Sequence, residues 1–241
     1  MPTLERLPEN FKGRDFVVGD LHGSYEELFV ELDRHCFDLE VDRLISVGDL
    51  IDRGAYSYQC LQLTEEPWFF TVWGNHEALM FKGLKDGLGS EAFRLWMQNG
   101  GEWALKYNLD ELRYLIEKKA KVMPLAIELH VEGKAIGIAH AAVPSDDWGN
   151  FHNPLTPKQR DTVIWSRTDL LGALEGREPV AVRGVDYVIF GHTPLETPTR
   201  IGNRLYLDTG AGYINGSPTL MELKPSYFSN ANTRPQLFSQ A

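Results

Sequence analysis

Cysteine is scarce in this sequence, and long apolar runs are absent. The 241 residues include two cysteines, Cys36 and Cys60, which lie far apart and in no metal-binding spacing. This excludes a disulfide scaffold and a thiolate metal site, so we expect two reduced thiols in the core or at its boundary. No apolar stretch approaches the roughly 18 residues of a membrane span, and residues 1–12 lack a signal-type run. We therefore expect a cytoplasmic protein without a membrane partner.

Positive charge is also in short supply. The chain carries 24 Lys and Arg against 34 Asp and Glu, a formal net charge of -10. Nucleic acids and anionic membranes are bound through clusters of basic side chains, so the composition argues against both as partners. An acidic chain that handles phosphate needs local positive charge, from a metal ion or from a few arginines.

Short apolar runs that stop at a polar cluster are the dominant pattern of the chain. They are rich in β-branched and aromatic residues, which is typical of buried strands. Five such runs stand at 16–18 (FVV), 44–47 (LISV), 69–73 (FFTVW), 135–139 (AIGIA) and 187–190 (YVIF). Later strands are expected at 205–207 and 220–223.

Helical patterns lie between several of these runs, which indicates an α/β domain. Ser24 and Glu27 have the spacing of a capping box, and the helix after them would place Leu28, Leu32 and Cys36 on one face. Further helices are expected at 57–64, at 76–85 and over much of 90–120, with Trp96 and Leu105 among the core candidates, and a loop at 172–183. We expect one domain over 1–224 and a polar, weakly ordered tail over 225–241.

Six polar side chains follow the five strand ends, and their types are those of metal ligands: Asp20, His22, Asp49, Asn75, His140 and His192. Open α/β sheets bind ligands at the carboxyl ends of their strands. Any one of these residues alone is more often a turn or capping group, so the inference depends on the whole set. Oxygen and imidazole ligands suit manganese, iron or zinc. Six are too many for one open site, but they suit two metals about 4 Å apart with Asp49 as the bridge.

Three further residues in these loops have the chemistry of phosphate handling. Arg53 and Arg167 offer planar donor forks that match phosphate oxygens, although either could be a surface arginine. His76 follows Asn75 directly, so it is free to act as an acid, with a core-packing histidine as the alternative. No Cys or Ser stands in a nucleophile motif, which argues against a covalent intermediate.

The motifs of this chain resemble those of the PPP phosphoprotein phosphatases, most closely the branch of the bacteriophage lambda enzyme and its bacterial relatives. The resemblance runs from about residue 16 to about residue 223, and its specific motifs are 19–23 (GDLHG), 48–54 (GDLIDRG), 74–77 (GNHE), His140 and 191–192 (GH). It implies the calcineurin-like metallophosphatase fold, a central mixed β-sandwich flanked by helices.

The resemblance also implies a set of roles. Asp20, His22 and Asp49 would hold one metal. The second metal would be held by Asp49, Asn75, His140 and His192. Arg53 and Arg167 would bind phosphate, and Asp52 would orient His76 as the acid.

The implied activity is the hydrolysis of phosphoserine and phosphothreonine in proteins or peptides, with phosphotyrosine left open. A hydroxide bridging two divalent cations, Mn²⁺ in preference to Fe or Zn, would attack phosphorus directly, and small phosphomonoesters would serve in vitro. Diadenosine tetraphosphate hydrolysis stays open as an alternative. Phosphodiesterases are less favoured because Pro194 stands where they usually carry a histidine. A binding module with a vestigial site is the alternative from another class.

Overall fold

Two sheets form the centre of the protein. The computed structural model describes residues 1–224 and 235–238. In these residues ten strands form: β1 Leu4–Arg6, β2 Asp15–Val18, β3 Arg43–Ser46, β4 Phe69–Thr71, β5 Ala126–Val131, β6 Lys134–Ala139, β7 Tyr187–Phe190, β8 Thr199–Ile201, β9 Arg204–Tyr206 and β10 Leu220–Glu222.

Both sheets mix parallel and antiparallel pairs. The smaller sheet has the order β10-β2-β3-β4, in which β2, β3 and β4 are parallel and β10 is antiparallel to β2. The larger sheet has the order β1-β5-β6-β7-β9-β8, with β6, β7 and β9 parallel to one another. The parallel strands of each sheet therefore end on one side, which brings the loops after them together.

Apolar side chains alternate between the two faces of the strands, as the period of two requires. In β2, Val17 packs into the core between the sheets with Ile45 and Ile138 from the other strands. Its neighbours Phe16 and Val18 belong instead to the core beneath the helices. This confirms the expected mixed β-sandwich flanked by helices.

Helices cover the outer faces of the sandwich. In the described part of the chain they are α1 Tyr25–Arg34, α2 Ser57–Gln62, α3 Asn75–Asp86, α4 Glu91–Gln98, α5 Leu109–Lys119, α6 Pro157–Trp165 and α7 Thr168–Leu174, with a short 3₁₀ segment at Gly101–Lys106. None of these helices is long and apolar enough to cross a membrane.

The helix predictions at 57–64, 76–85 and 90–120 are confirmed, but four details of the sequence analysis are wrong. Leu105 is 59% exposed rather than part of the core. Cys36 is exposed as well, because α1 ends at Arg34 and the backbone of Cys36 turns into the left-handed region with φ 48°. Ser24 precedes α1 but its side chain makes no capping hydrogen bond. The loop expected at 172–183 begins only after α7, which ends at Leu174.

The predicted division of the chain remains a prediction. Its tail, 225–241, lies outside the described residues apart from 235–238. Those four residues pair with the body of the protein through a β-bridge between Leu237 and Leu195.

Candidate metal and phosphate site

The loops that follow the parallel strands carry strained backbone. Five non-glycine residues there have φ angles between 42° and 77°: His22, Asp49, Asp52, Arg53 and His192. This region costs a side-chain-bearing residue on the order of 1–2 kcal/mol, and such strain clusters at functional sites. The sequence analysis named all five as site residues, but it had no signal for their backbone conformation.

One group of candidate ligands lies where loops from the two sheets meet. Asp49 Oδ2 is 3.4 Å from His140 Nε2. Asn75 Oδ1 is 2.9 Å from His140 Nε2 and 2.8 Å from His192 Nδ1. All four side chains are buried. These four residues stand after β3, β4, β6 and β7, and their donor atoms converge.

A second group shares Asp49 with the first. His22 Nε2 is 3.8 Å from Asp20 Oδ2 and 3.8 Å from Asp49 Oδ2. The structure therefore brings all six residues predicted as ligands together, with Asp49 in both groups. Among the described residues, His76 also lies close enough to His22 and Asp49 for the three to form a possible metal group.

The imidazoles are oriented as metal ligands usually are. His22 Nδ1 bonds Ile51 O at 2.9 Å, and His140 Nδ1 bonds Val47 O at 2.8 Å. The His192 ring uses the opposite nitrogens: its Nε2 lies 3.2 Å from Trp165 O, while its Nδ1 faces Asn75 and the other candidate ligands. Each ring thus gives one nitrogen to a backbone carbonyl and turns the other toward the other candidate ligands, the orientation usual for histidines that bind a cation.

Buried carboxyl groups around the ligands add to the case for cations. Burial raises the pKa of Asp20 well above its usual value, and the neighbouring Asp208 raises it further. Burial also raises the pKa of Asp208 to about 6, and burial together with Asp49 raises the pKa of Glu77 to about 7. Carboxylates crowded in a buried space resist ionisation, and bound divalent cations would offset that cost. The donor set therefore fits the divalent metals that the sequence predicts.

His76 lies between its predicted partners. Its Nδ1 is 2.7 Å from Asp52 Oδ2, and its Nε2 is 3.0 Å from Arg53 Nη2 and 4.0 Å from Asp49 Oδ2. Asp52 therefore fixes the ring so that Nε2 faces Arg53 and the candidate metal ligands. The ring therefore holds one nitrogen at the edge of the ligand cluster, which a histidine that only packs in the core would not need.

Two tryptophans, which the sequence analysis did not assign to the site, hold Asp52. Trp96 Nε1 donates to Asp52 Oδ1 at 3.0 Å, and Trp103 Nε1 donates to the same oxygen at 2.7 Å. Asp52 is fully buried, and burial raises its pKa while its bonds to His76 and the two indoles lower it. The sequence offers no signal for this role, because buried tryptophans are ordinary core residues.

Glu77 is a third residue whose role the sequence analysis missed. Its carboxylate accepts hydrogen bonds from the backbone N–H groups of Asp49 at 3.1 Å, Leu50 at 2.9 Å and Gly74 at 2.9 Å. It therefore ties the loop after β3 to the start of α3. Its position after His76 was visible in the sequence, but its partners were not.

The two arginines differ in how firmly they are held. The Arg53 guanidinium lies 4.6 Å from the centre of the Tyr213 ring and also contacts His22 Nε2. Its backbone N–H donates to Gly100 O at 3.1 Å. Arg167 is exposed at the start of α7, where its Nη2 donates to His192 O at 3.4 Å. The arginines thus approach the ligand cluster from two sides.

Comparison with known proteins agrees with this geometry. Residues 16–196 match the family model described as calcineurin-like phosphoesterase. The chain belongs to the calcineurin-like phosphoesterase family. Together with the serine/threonine-protein phosphatases among the chain's relatives, this membership confirms the resemblance to the PPP phosphatases, and it implies divalent metal ions. It identifies the chain as a hydrolase of the phosphatase type rather than a binding module.

Individual relatives extend the comparison. A serine/threonine-protein phosphatase 2 of Salmonella typhimurium is 36% identical over 216 residues, which cover 87% of this chain and 92% of that protein. An asymmetrical bis(5'-nucleosyl)-tetraphosphatase of Bacillus subtilis is 26% identical over 228 residues, covering 83% of this chain and 86% of that protein. A protein serine/threonine phosphatase from Saccharomyces cerevisiae shares the fold, with a TM-score of 0.59, 15% identity, and coverage of 86% of this chain and 71% of that one.

Proposed function

We propose that the chain is a phosphoprotein phosphatase that removes phosphate from phosphoserine and phosphothreonine, and that accepts phosphotyrosine and small phosphomonoesters as further substrates. The observation that carries this proposal is the row Asp52, His76 and Arg53, in which a buried carboxylate orients an imidazole beside a guanidinium. This row borders the ligand cluster at Asp49. The name of the Salmonella relative supports a protein substrate.

Two divalent cations would be held by the six ligand residues, with Asp49 shared between them. Manganese is the favoured ion and iron or zinc the alternatives, because the donors are oxygen and imidazole nitrogen without a thiolate. When bound, such cations lower the pKa of a coordinated water and neutralise charge on the phosphoryl group.

The remaining roles belong to side chains at the rim of the cluster. Arg53 and Arg167 would hold the phosphoryl oxygens and stabilise the charge that builds up on them. His76 would give its Nε2 proton to the departing serine or threonine oxygen. Asp52 would hold Nδ1–H and stabilise the charged ring, as carboxylates beside catalytic imidazoles do.

The setting of this activity is also part of the proposal. The net charge of -10 argues against nucleic acid and membranes as partners, and the proposed activity makes phosphoproteins and phosphopeptides the substrates. We propose a cytoplasmic location, which the two free thiols support.

A second candidate function is the hydrolysis of bis-nucleoside tetraphosphates. The name of the Bacillus subtilis relative favours it, and so does one feature of the site. Trp165, 44% exposed, lies with its ring 6.3 Å from that of His192 and could stack on a nucleobase.

A side-by-side assay decides between the two. The Mn²⁺-loaded chain is given phosphoserine, phosphothreonine and phosphotyrosine peptides, diadenosine tetraphosphate and a phosphodiester at equal concentrations. We expect kcat/KM to be highest on one of the phosphopeptides and lowest on the diester. A kcat/KM for diadenosine tetraphosphate well above that of every phosphopeptide would replace the proposal with the second candidate.

A further inference from the structure

The segment 194–196 begins two residues after His192 and has backbone groups facing two directions. Leu195 N–H donates inward to Asp208 O at 2.9 Å. Pro194 O and Glu196 N–H, the backbone groups on either side, do not bond to Asp208 but make their hydrogen bonds with a different segment of the chain. This segment therefore presents an edge that can pair with another extended strand.

The chain's own residues 235–238 occupy this edge. Glu196 N–H donates to Gln236 O at 3.0 Å, and Phe238 N–H donates to Pro194 O at 3.0 Å. The pairing forms an antiparallel bridge centred on Leu195 and Leu237. Both hydrogen bonds join backbone groups, so this pairing does not depend on the side chains of the segment that occupies the edge.

Phe238 links this occupant to the phosphate-binding region. Its half-buried ring lies against Gly210, where an added Cβ would come within 3.0 Å of the ring. The same ring is 6.3 Å from that of Tyr213, which in turn lies 4.6 Å from the Arg53 guanidinium. One aromatic side chain therefore separates the occupant of the edge from an arginine assigned to phosphate.

We propose that the 194–196 edge is a docking site for the extended peptide that flanks a phosphorylated residue, and that residues 235–238 are its resting occupant. Strand addition is a common way to bind peptides of varied sequence, because the affinity comes from backbone hydrogen bonds. The inference rests on the proposed function and specifies its substrate class, which is an extended polypeptide rather than a folded surface or a nucleotide.

Competition between the two occupants follows from this arrangement. A phosphopeptide must displace 235–238 before its own backbone can pair with Pro194 and Glu196. A small aryl phosphate reaches Arg53 and the ligand cluster without using the edge. Weakening the resting occupant should therefore lower KM for phosphopeptides and leave the small substrate unaffected.

Phe238→Ala in the full chain tests the proposal, with Leu237→Ala as the matched control. Leu237 is in the same segment, but its side chain is 49% exposed and its pairing is through the backbone. We expect Phe238→Ala to lower KM for a phosphoserine peptide by about three- to ten-fold, the size of one lost contact and a weakened bond. Its kcat/KM on p-nitrophenyl phosphate should match that of the parent, and Leu237→Ala should match the parent on both substrates.

Hydrogen exchange at the Glu196 amide provides an independent measurement. We expect faster exchange in Phe238→Ala, and renewed protection when an excess of dephosphorylated product peptide is added. An unchanged phosphopeptide KM, an equal change on the aryl phosphate, or a Glu196 amide that peptide leaves unprotected would overturn the docking edge. Turnover of the aryl phosphate without turnover of any phosphopeptide would overturn the proposed function, and the docking edge with it.

Discussion

Replacing His76 with asparagine separates proton donation from every other role at the site. His76 is 2% exposed and its Nδ1 is 2.7 Å from Asp52, so its other nitrogen, Nε2, is the one that faces Arg53 and the ligand cluster. Asparagine can occupy the same position at the start of α3, but it cannot give up a proton. A serine alkoxide leaves poorly without one, whereas nitrophenolate leaves readily.

The magnitude follows from that difference between leaving groups. General acid catalysis contributes about 10²–10⁴-fold, so the turnover of a phosphoserine peptide should fall by about that factor. The turnover of p-nitrophenyl phosphate should fall far less. Asp52→Asn should show a weaker form of the same bias, because that side chain only orients and charges the imidazole.

The assay measures kcat on both substrates, with bound metal quantified in each preparation. Metal content matters because His76 Nε2 lies only 4.0 Å from Asp49 Oδ2. Equal losses on the two substrates, or a loss of bound metal, would remove His76 from the role of acid and assign it to structure or to metal binding.

Three further predictions address the cations, the arginines and the indoles. Asp49→Asn should reduce bound metal at both positions together, as measured by elemental analysis, because its carboxylate is common to both ligand groups; the loss of a single cation would contradict the bridge. Arg53→Lys should restore little of the turnover lost in Arg53→Ala, since an ammonium lacks the paired donors, and Arg167→Ala should cut turnover with metal content intact. Trp103→Phe should lower the turnover of phosphoserine peptide more than that of p-nitrophenyl phosphate, because it removes a bond of 2.7 Å to a buried carboxylate. Trp148→Phe, which removes an equally short bond to a carboxylate in the larger sheet, should change stability without that bias.

The residues of the candidate site were predictable from the sequence where the signal comes from their immediate neighbours in the chain. Asp20, Asp49 and His192 each follow a short apolar run, and the ends of parallel strands lie on one side of a sheet. Composition and strand order therefore indicated both the ligand set and the place where it assembles. Family resemblance supplied the partnership of Asp52 with His76, which no local spacing indicated.

Features that depend on distant parts of the chain were not predictable. Trp103 bonds Asp52 across 51 positions of the chain. A tryptophan in a helical region is predicted to be a core residue, and the sequence does not indicate which group its indole N–H bonds. Asp208 is different, because it follows β9, which the sequence analysis predicted at 205–207, and it was overlooked although it stands after a strand as the other site residues do. The strand β8 was missed because three residues give a weak pattern.

Some missed elements did carry a local signal. Thr156 and Gln159 form a capping box around Pro157 at the start of α6, and all three residue types are typical of a helix start. The helix was overlooked because apolar residues are few on its inner face, where Val163 and Ile164 are buried. A helix that buries only a few residues near its end has a weak apolar pattern, so its capping residues are the better sequence signal.

Turnover as a function of bound metal tests the central claim most directly. The chain is stripped with chelator, titrated with Mn²⁺, and assayed on a phosphoserine peptide while calorimetry counts the ions bound per chain. A centre of two cations that share Asp49 predicts no turnover in the stripped protein and full turnover only when two ions are bound. Full turnover in the metal-free protein, or saturation of activity at one ion per chain, would contradict it.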